Sequence, residues 1–380
     1  MSRGKVTRGA ITSASKIFMI LRRIMSRKTD YIVIGAGLAG TTVAKQLMAR
    51  GRRVVVIDNG AQSSSMIAGG LVNPLTGKRL VIDETFHKKF SRAEAEYADI
   101  PGALRTLPVI RILSDTTEVQ SWQKKRDSLQ EQHSISQVDF ARAKEYLPTL
   151  NSKNHNCTII VVPNAAHVNT AAVIATRKSW LAEHDALVET HVSLDDWDPS
   201  SHTIAGITAE QIILCDGWHL ASHSVFSRVE MMPAKGQLLT VRIDTQPAYD
   251  VQTHPGAVVI HRGRFLVPLG NHLYRYGATY EWNDVNEDVL PSTTEFLSDS
   301  LREMIEVPFT VVDARAGVRP IVRDLSPVLG VHPRYSHVSI LNGMGSKGAL
   351  LAPTLSSLLI DHLERGTIIP PAYSVTRYYE

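Results

Sequence analysis

Tyr31-Ile-Val-Ile34 runs directly into Gly35-Ala-Gly37-Leu-Ala-Gly40, and that junction restricts the fold more than any other feature of the chain. An apolar run stopped by glycines reads as a buried strand and a tight turn. Val43, Ala44, Leu47 and Met48 then recur at helical spacing, and Gly51 closes the helix. Val54-Val-Val-Ile57 makes a second buried strand ending at Asp58. This is a strand–helix–strand unit around a G-x-G-x-x-G turn. Gly35 permits the turn, Gly37 lets a diphosphate approach the backbone, and Gly40 lets helix and strand touch. The helix N-terminus offers free N–H groups and a dipole that favours anions. Asp58 stands 18 residues past Gly40, placed to accept hydrogen bonds from a ribose and to repel a 2′-phosphate. The expected fold class is α/β, with a Rossmann-type domain that binds a dinucleotide. These residues alone leave FAD and NAD both open.

Composition removes several function classes. At 380 residues the chain is long enough for two domains. No run of 18 apolar residues is present, so no transmembrane helix is expected. Cys157 and Cys215 form no C-x-x-C and the fifteen histidines no H-E-x-x-H, so no metal is expected. The net charge of +4 is misleading, because residues 1–28 carry eight basic side chains and no acidic one. Residues 29–380 then hold 33 basic against 37 acidic side chains, which argues against a nucleic-acid partner. Residues 1–28 are expected to be a disordered leader, or to lie upstream of a start at Met25. A targeting or membrane-surface helix built on Ile17–Leu21 is the alternative. The expected location is cytoplasmic.

Two further glycine-rich segments bear on the ligand. Ser63-Ser-Ser-Met-Ile-Ala-Gly-Gly-Leu-Val-Asn-Pro74 offers hydroxyls and a bare backbone, as an ordinary loop also would. Near the other end, the apolar strand Val338–Leu341 feeds Asn342-Gly-Met-Gly-Ser-Lys-Gly348. A helix follows, with Leu355, Leu358, Leu359 and Leu363 on one face. A ligand contacted at both chain ends is long, as FAD is.

With these residues the chain resembles the D-amino-acid-oxidase-like FAD-dependent oxidoreductases, over about residues 29–366. That group includes glycine oxidase, sarcosine oxidase and the oxidase domain of a tRNA-modifying enzyme, and the likeness is greatest to a glycine-oxidase-like branch. It rests on Gly35–Gly40 with Asp58, Ala68-Gly-Gly-Leu-Val-Asn-Pro74, Pro233-Ala-Lys-Gly236 and Tyr276-Gly-Ala-Thr279. It rests also on Ala316-Gly-Val-Arg-Pro320 followed by Asp324 and Pro327, and on Gly343–Gly348 with Ala352-Pro353, all in the family's order.

The resemblance implies FAD as cofactor. It places Leu38 and Ala39 at the diphosphate, Asp58 and Asn59 at the ribose, and Ser63 and Ser64 at the second-loop contacts. Ala68, Gly69 and Gly70 would line the isoalloxazine, and Val192 would meet the adenine, with Val188 nearby. Gly343, Met344, Gly345, Ser346, Lys347, Gly348 and Ala349 would face the flavin's pyrimidine edge. The implied reaction moves hydride from a small amine or amino acid to flavin N5, leaving an imine that water hydrolyses. O2 or another acceptor would reoxidise the flavin, and no His/Asp catalytic pair is evident.

Arg319 matches an arginine that grips a substrate carboxylate, for which a planar guanidinium suits well. An ion pair with Asp313 or Asp324 is the competing placement. Lys347 matches a substrate-anchoring lysine, or points to solvent. Ser346 stands where glycine oxidase has a second arginine and Phe265 where it has a tyrosine, which argues against glycine itself. Lys235 is a further candidate, though such lysines are mostly solvated, and His167 and His219 read as structural. Neither cysteine lies near the Arg319 segment, so non-covalent FAD is expected. Alternatives are oxidation of a modified nucleotide in RNA, or a flavin-binding protein without turnover.

The FAD domain is expected from residues 29–87, 160–222 and 315–366. An inserted α+β substrate domain of 88–159 and 223–314, on a mixed, largely antiparallel sheet, would roof the site. Residues 367–380 are expected to form a loosely held tail.

Overall fold

The computed structural model describes residues 27–244 and 257–380. The expected leader therefore lies outside the described residues, except for Arg27 and Lys28. Lys28 already opens the strand Lys28–Ile34.

Two sheets organise the chain. In the first, Leu187–Glu189, Val54–Asp58, Lys28–Ile34, Ile207–Leu214 and Val338–Asn342 lie side by side in that order, and all run parallel. Val328–Val331 adds an antiparallel edge. Both faces are covered, which explains the continuous apolar runs. Val33, Val43, Leu47, Val56 and Leu355 fill one face, beneath helices Leu38–Ala49 and Gly348–Arg365. Ile32, Ile34, Val55, Ile57 and Phe226 fill the other.

The second sheet is mixed and largely antiparallel. Its order is Thr310–Arg319, Ala234–Arg242, Leu273–Gly277, Arg264–Gly270, Val259–Arg262, Val109–Leu113, Thr158–Val162, Ser136–Val138. Val259–Arg262 and Val109–Leu113 form a parallel pair. One face buries Leu239, Leu266 and Tyr276 against Leu297 and Leu301 of helix Pro291–Met304. Residues alternate across a strand, so Leu238, Phe265 and Gly277 face the opposite way, over the cavity described below.

Three expected boundaries fall elsewhere. Those at 159/160 and 314/315 cut through Thr158–Val162 and Thr310–Arg319, each of which belongs whole to the second sheet. The one at 87/88 cuts the helix Phe86–Tyr97, which packs on the first sheet's helices; the Tyr97 hydroxyl donates to Ala349 O at 2.9 Å. The loosely held tail is also corrected. Val375 is fully buried, and Arg377 pairs with Asp324 at 2.8 Å.

Candidate active site

Level strand ends assemble the site. Ile34 pairs with Leu214 and Leu214 with Ile340, so three parallel strands finish together and their following loops meet at one edge. This carboxyl edge of a doubly wound sheet is where such folds place ligands. A cavity of about 1000 Å³ opens there, running from the Val192–Asp195 loop past both glycine turns to the roof sheet.

The first turn is built as its sequence requires. Gly35 adopts φ +95°, and its N–H donates to Ile57 O at 2.8 Å. A Cβ there would stand 2.6 Å from Cys215 O, and one on Gly40 would stand 1.8 Å from Gly35 O. Gly37, Leu38 and Ala39 line the cavity where the helix Leu38–Ala49 begins.

Asp58 is more engaged than its expected ribose role requires. Its carboxylate accepts from Ala36 N at 2.6 Å, Gly60 N at 3.0 Å and Lys178 Nζ at 2.7 Å. A carboxylate offers about four acceptor positions, so one remains for a ribose hydroxyl. Asn59 caps its own loop, accepting from Ala61 N at 2.9 Å.

The serine segment divides its work. Ser63 Oγ is buried with no protein partner. Ser64 Oγ turns away to donate to Val318 O at 2.6 Å, tying the loop to the roof rather than reaching outward. Ser65, missed in the sequence, accepts weakly from Leu38 N at 3.4 Å. Ala68, Gly69 and Gly70 line the cavity. Gly70 has φ +63°, and a Cβ there would stand 1.9 Å from Val168 O. Val192 lines the cavity, whereas Val188 is paired with Ile57 inside the sheet.

At the far loop, Gly343 N donates to Asn342 Oδ1 at 2.8 Å and Gly345 N to Pro320 O at 2.9 Å. The second bond fastens this loop beside Arg319. Met344, Gly348 and Ala349 line the cavity, and the helix Gly348–Arg365 begins there. Ser346 and Lys347 lie exposed at its rim.

Arg319 faces the cavity and has no carboxylate partner among the described residues. It donates to Lys235 O at 3.2 Å and Thr279 O at 3.0 Å, with its guanidinium 4.5 Å from the Tyr280 ring centre. Asp313 instead pairs with Arg315, and Asp324 with Arg377. Burial pulls the Arg319 guanidinium below the usual arginine range, and Tyr280 opposes that pull. A Cβ on Gly236 would stand 2.3 Å from Arg319 Nη2, so the bare strand makes the arginine's seat.

Several neighbours were not legible in the sequence. Lys235 is fully buried rather than solvated, and its Nζ holds Asp284 Oδ2 at 3.0 Å and Asn286 Oδ1 at 2.5 Å. A His/Asp pair does exist: His223 Nε2 lies 2.7 Å from Asp216 Oδ2, at the cavity wall. His261 and Arg275 also line the cavity; period-two alternation with Phe265 and Gly277 was the signal available for them. His167 is buried and held down to about 4 by burial, with Arg105 and Arg275 adding to the effect. His219 is exposed against Trp218. Cys215 borders the cavity at the Gly35 turn, with its thiol pushed up by burial. No group of side chains able to hold a metal occurs among the described residues.

These features fit a long dinucleotide. A bare cradle at Gly35–Gly40, an unpartnered buried hydroxyl at Ser63 and two helix N-termini share one elongated cavity. Glycine oxidase of Bacillus licheniformis is 23% identical over 360 residues, covering 89% of this chain and 93% of that protein. Iminodiacetate oxidase from Chelativorans sp. BNC1 shares the fold at TM-score 0.72 and 20% identity, over 90% of this chain and 98% of that one. Glycine oxidase from Geobacillus kaustophilus does so at TM-score 0.75 and 18% identity, over 92% and 98%. Residues 30–362 match the FAD dependent oxidoreductase (DAO) family, and the chain belongs to that family.

Proposed function

We propose that this chain oxidises a small amine or amino acid that carries a carboxylate, and that Arg319 holds the carboxylate. The observation behind this reading is a cavity-facing guanidinium seated on two carbonyls and left without an acid of its own. A half-buried cation without a counter-ion carries a desolvation cost, and a substrate carboxylate relieves that cost. FAD, when bound, would supply a two-electron oxidant for the carbon that bears nitrogen. The chain's own residues orient and stabilise. Gly35–Gly40, Asp58 and Ser63 would hold the adenosine and diphosphate portion, and Ala68–Gly70 and Gly343–Ala349 the flavin head. The N-terminus of Gly348–Arg365 would favour negative charge at that edge of the flavin head. Water hydrolyses the product imine, and O2 or another acceptor completes the cycle. Attachment is read as non-covalent; acid precipitation should release the flavin.

Anaerobic addition of an amine and amino-acid panel should bleach the flavin absorbance with at least one member. With that substrate, Arg319→Ala should keep FAD and weaken binding by about 1.5–3 kcal/mol, the worth of a charged hydrogen bond. An unchanged Michaelis constant would refute the role.

A further inference from the structure

The cavity that Arg319 faces also carries an acid that the protein leaves unmatched. Glu287 lines the cavity, half-buried, and among the described residues its side chain has no ion pair or hydrogen bond. Its neighbours are spoken for. Asp284 Oδ2 and Asn286 Oδ1 are both held by the buried Lys235 ammonium, and Leu290 N donates to Gln237 Oε1 at 2.9 Å. Lys235 also offers its carbonyl to Arg319. One residue thus meets the arginine through its carbonyl and, through its ammonium, the segment that presents Glu287. Leu238, Gly277 and Phe265 of the roof sheet line the same cavity and give it an apolar surface.

A free cation and a free anion in one cavity describe the charge pattern of what fills it. Resting on the reading that Arg319 takes a carboxylate, Glu287 is available to take a positive group. That group is not the reacting nitrogen. A carboxylate beside an ammonium favours its charged form, and an ammonium has no lone pair to drive hydride loss from the neighbouring carbon. We propose that Glu287 receives a second, distal cation, and that the substrate is an amino acid with a cationic side chain. Its methylene stem would lie along the apolar surface of the roof while its ends meet opposite charges.

The test uses the FAD-loaded protein and 5-guanidinopentanoate, which carries both charges but no α-amine. Pentanoate is the control lacking the cation. Binding is read by calorimetric titration, which needs no turnover. The guanidino acid should bind about tenfold or more tighter than pentanoate, and Glu287→Gln should erase that preference while Glu287→Asp retains part of it. In turnover, the ratio of kcat/KM for arginine or lysine over norleucine should fall about tenfold in Glu287→Gln. Equal binding of the two acids to the wild type, or a preference untouched by Glu287→Gln, would overturn the proposal. Failure of both acids to bind would overturn the carboxylate reading of Arg319 itself, and with it this one.

Discussion

A Cβ on Gly40 would meet a backbone oxygen at 1.8 Å, whereas a Cβ on Gly236 would meet the tip of the Arg319 side chain at 2.3 Å. The two collisions differ in what can yield. Neither the turn nor the helix start can move without losing the diphosphate cradle, so Gly40→Ala should cost about 3 kcal/mol of stability and abolish flavin retention. The guanidinium can swing aside, so Gly236→Ala should leave Tm and flavin content close to wild type. Its KM should nevertheless rise about tenfold or more, because the anion seat is displaced. Denaturant melts, flavin absorbance and steady-state kinetics separate the outcomes; equal stability losses in the two variants would contradict the steric argument. The roles of the glycines in the Gly35–Gly40 turn were legible because a turn and a close approach leave only glycine as the solution. Which acid Arg319 would meet was not, since Asp313, Asp324 and a ligand are equally compatible with the chain order. Lys235 was read as solvated because nothing local reveals that Asp284 and Asn286 fold back over it.

At the scale of elements, the strands and helices around the glycine turns followed from their periodicity. The same signal does not tell which sheet a strand joins. Thr158–Val162 and Thr310–Arg319 looked divisible along the sequence, yet the strand pairing continues straight through 159/160 and 314/315, so neither is shared between domains. The C-terminal segment shows the opposite error. Residues 367–380 have no apolar period, yet Leu329 bridges Ser374 and Val375 enters the core of the first sheet. Val375→Ala should therefore cost about 1.5–3 kcal/mol, since two methyl groups leave the core at roughly 0.8 kcal/mol each and a cavity remains. A urea melt indistinguishable from wild type would show that this segment contributes nothing. The Asp216–His223 pair belongs to this scale too: a strand end and the short turn Gly217–Ser222 curl it together over seven positions.

Across the whole molecule the cavity lies between two sheets, and a ligand spanning it binds only when both are in place. Cofactor binding should therefore stabilise the fold by mass action, by about 2.7 kcal/mol at a hundredfold excess of FAD over its Kd. Flavin-stripped protein should unfold at lower temperature and recover on adding FAD; no shift would mean that the cavity does not hold the cofactor. The strand–glycine–helix–strand junction and the second glycine cluster are local patterns, and the residues alone determined the Rossmann-type α/β domain and its dinucleotide turn, because backbone sterics and periodicity act over a few positions. Long-range closure decided the rest. The register of Ile34, Leu214 and Ile340 brings the loops together, the roof sheet seats Arg319 on Gly236, and a buried Lys235 holds the Asp284–Asn286 segment that leads to Glu287. Contacts between residues tens of positions apart depend on how two sheets pack, and no short stretch of sequence carries that information.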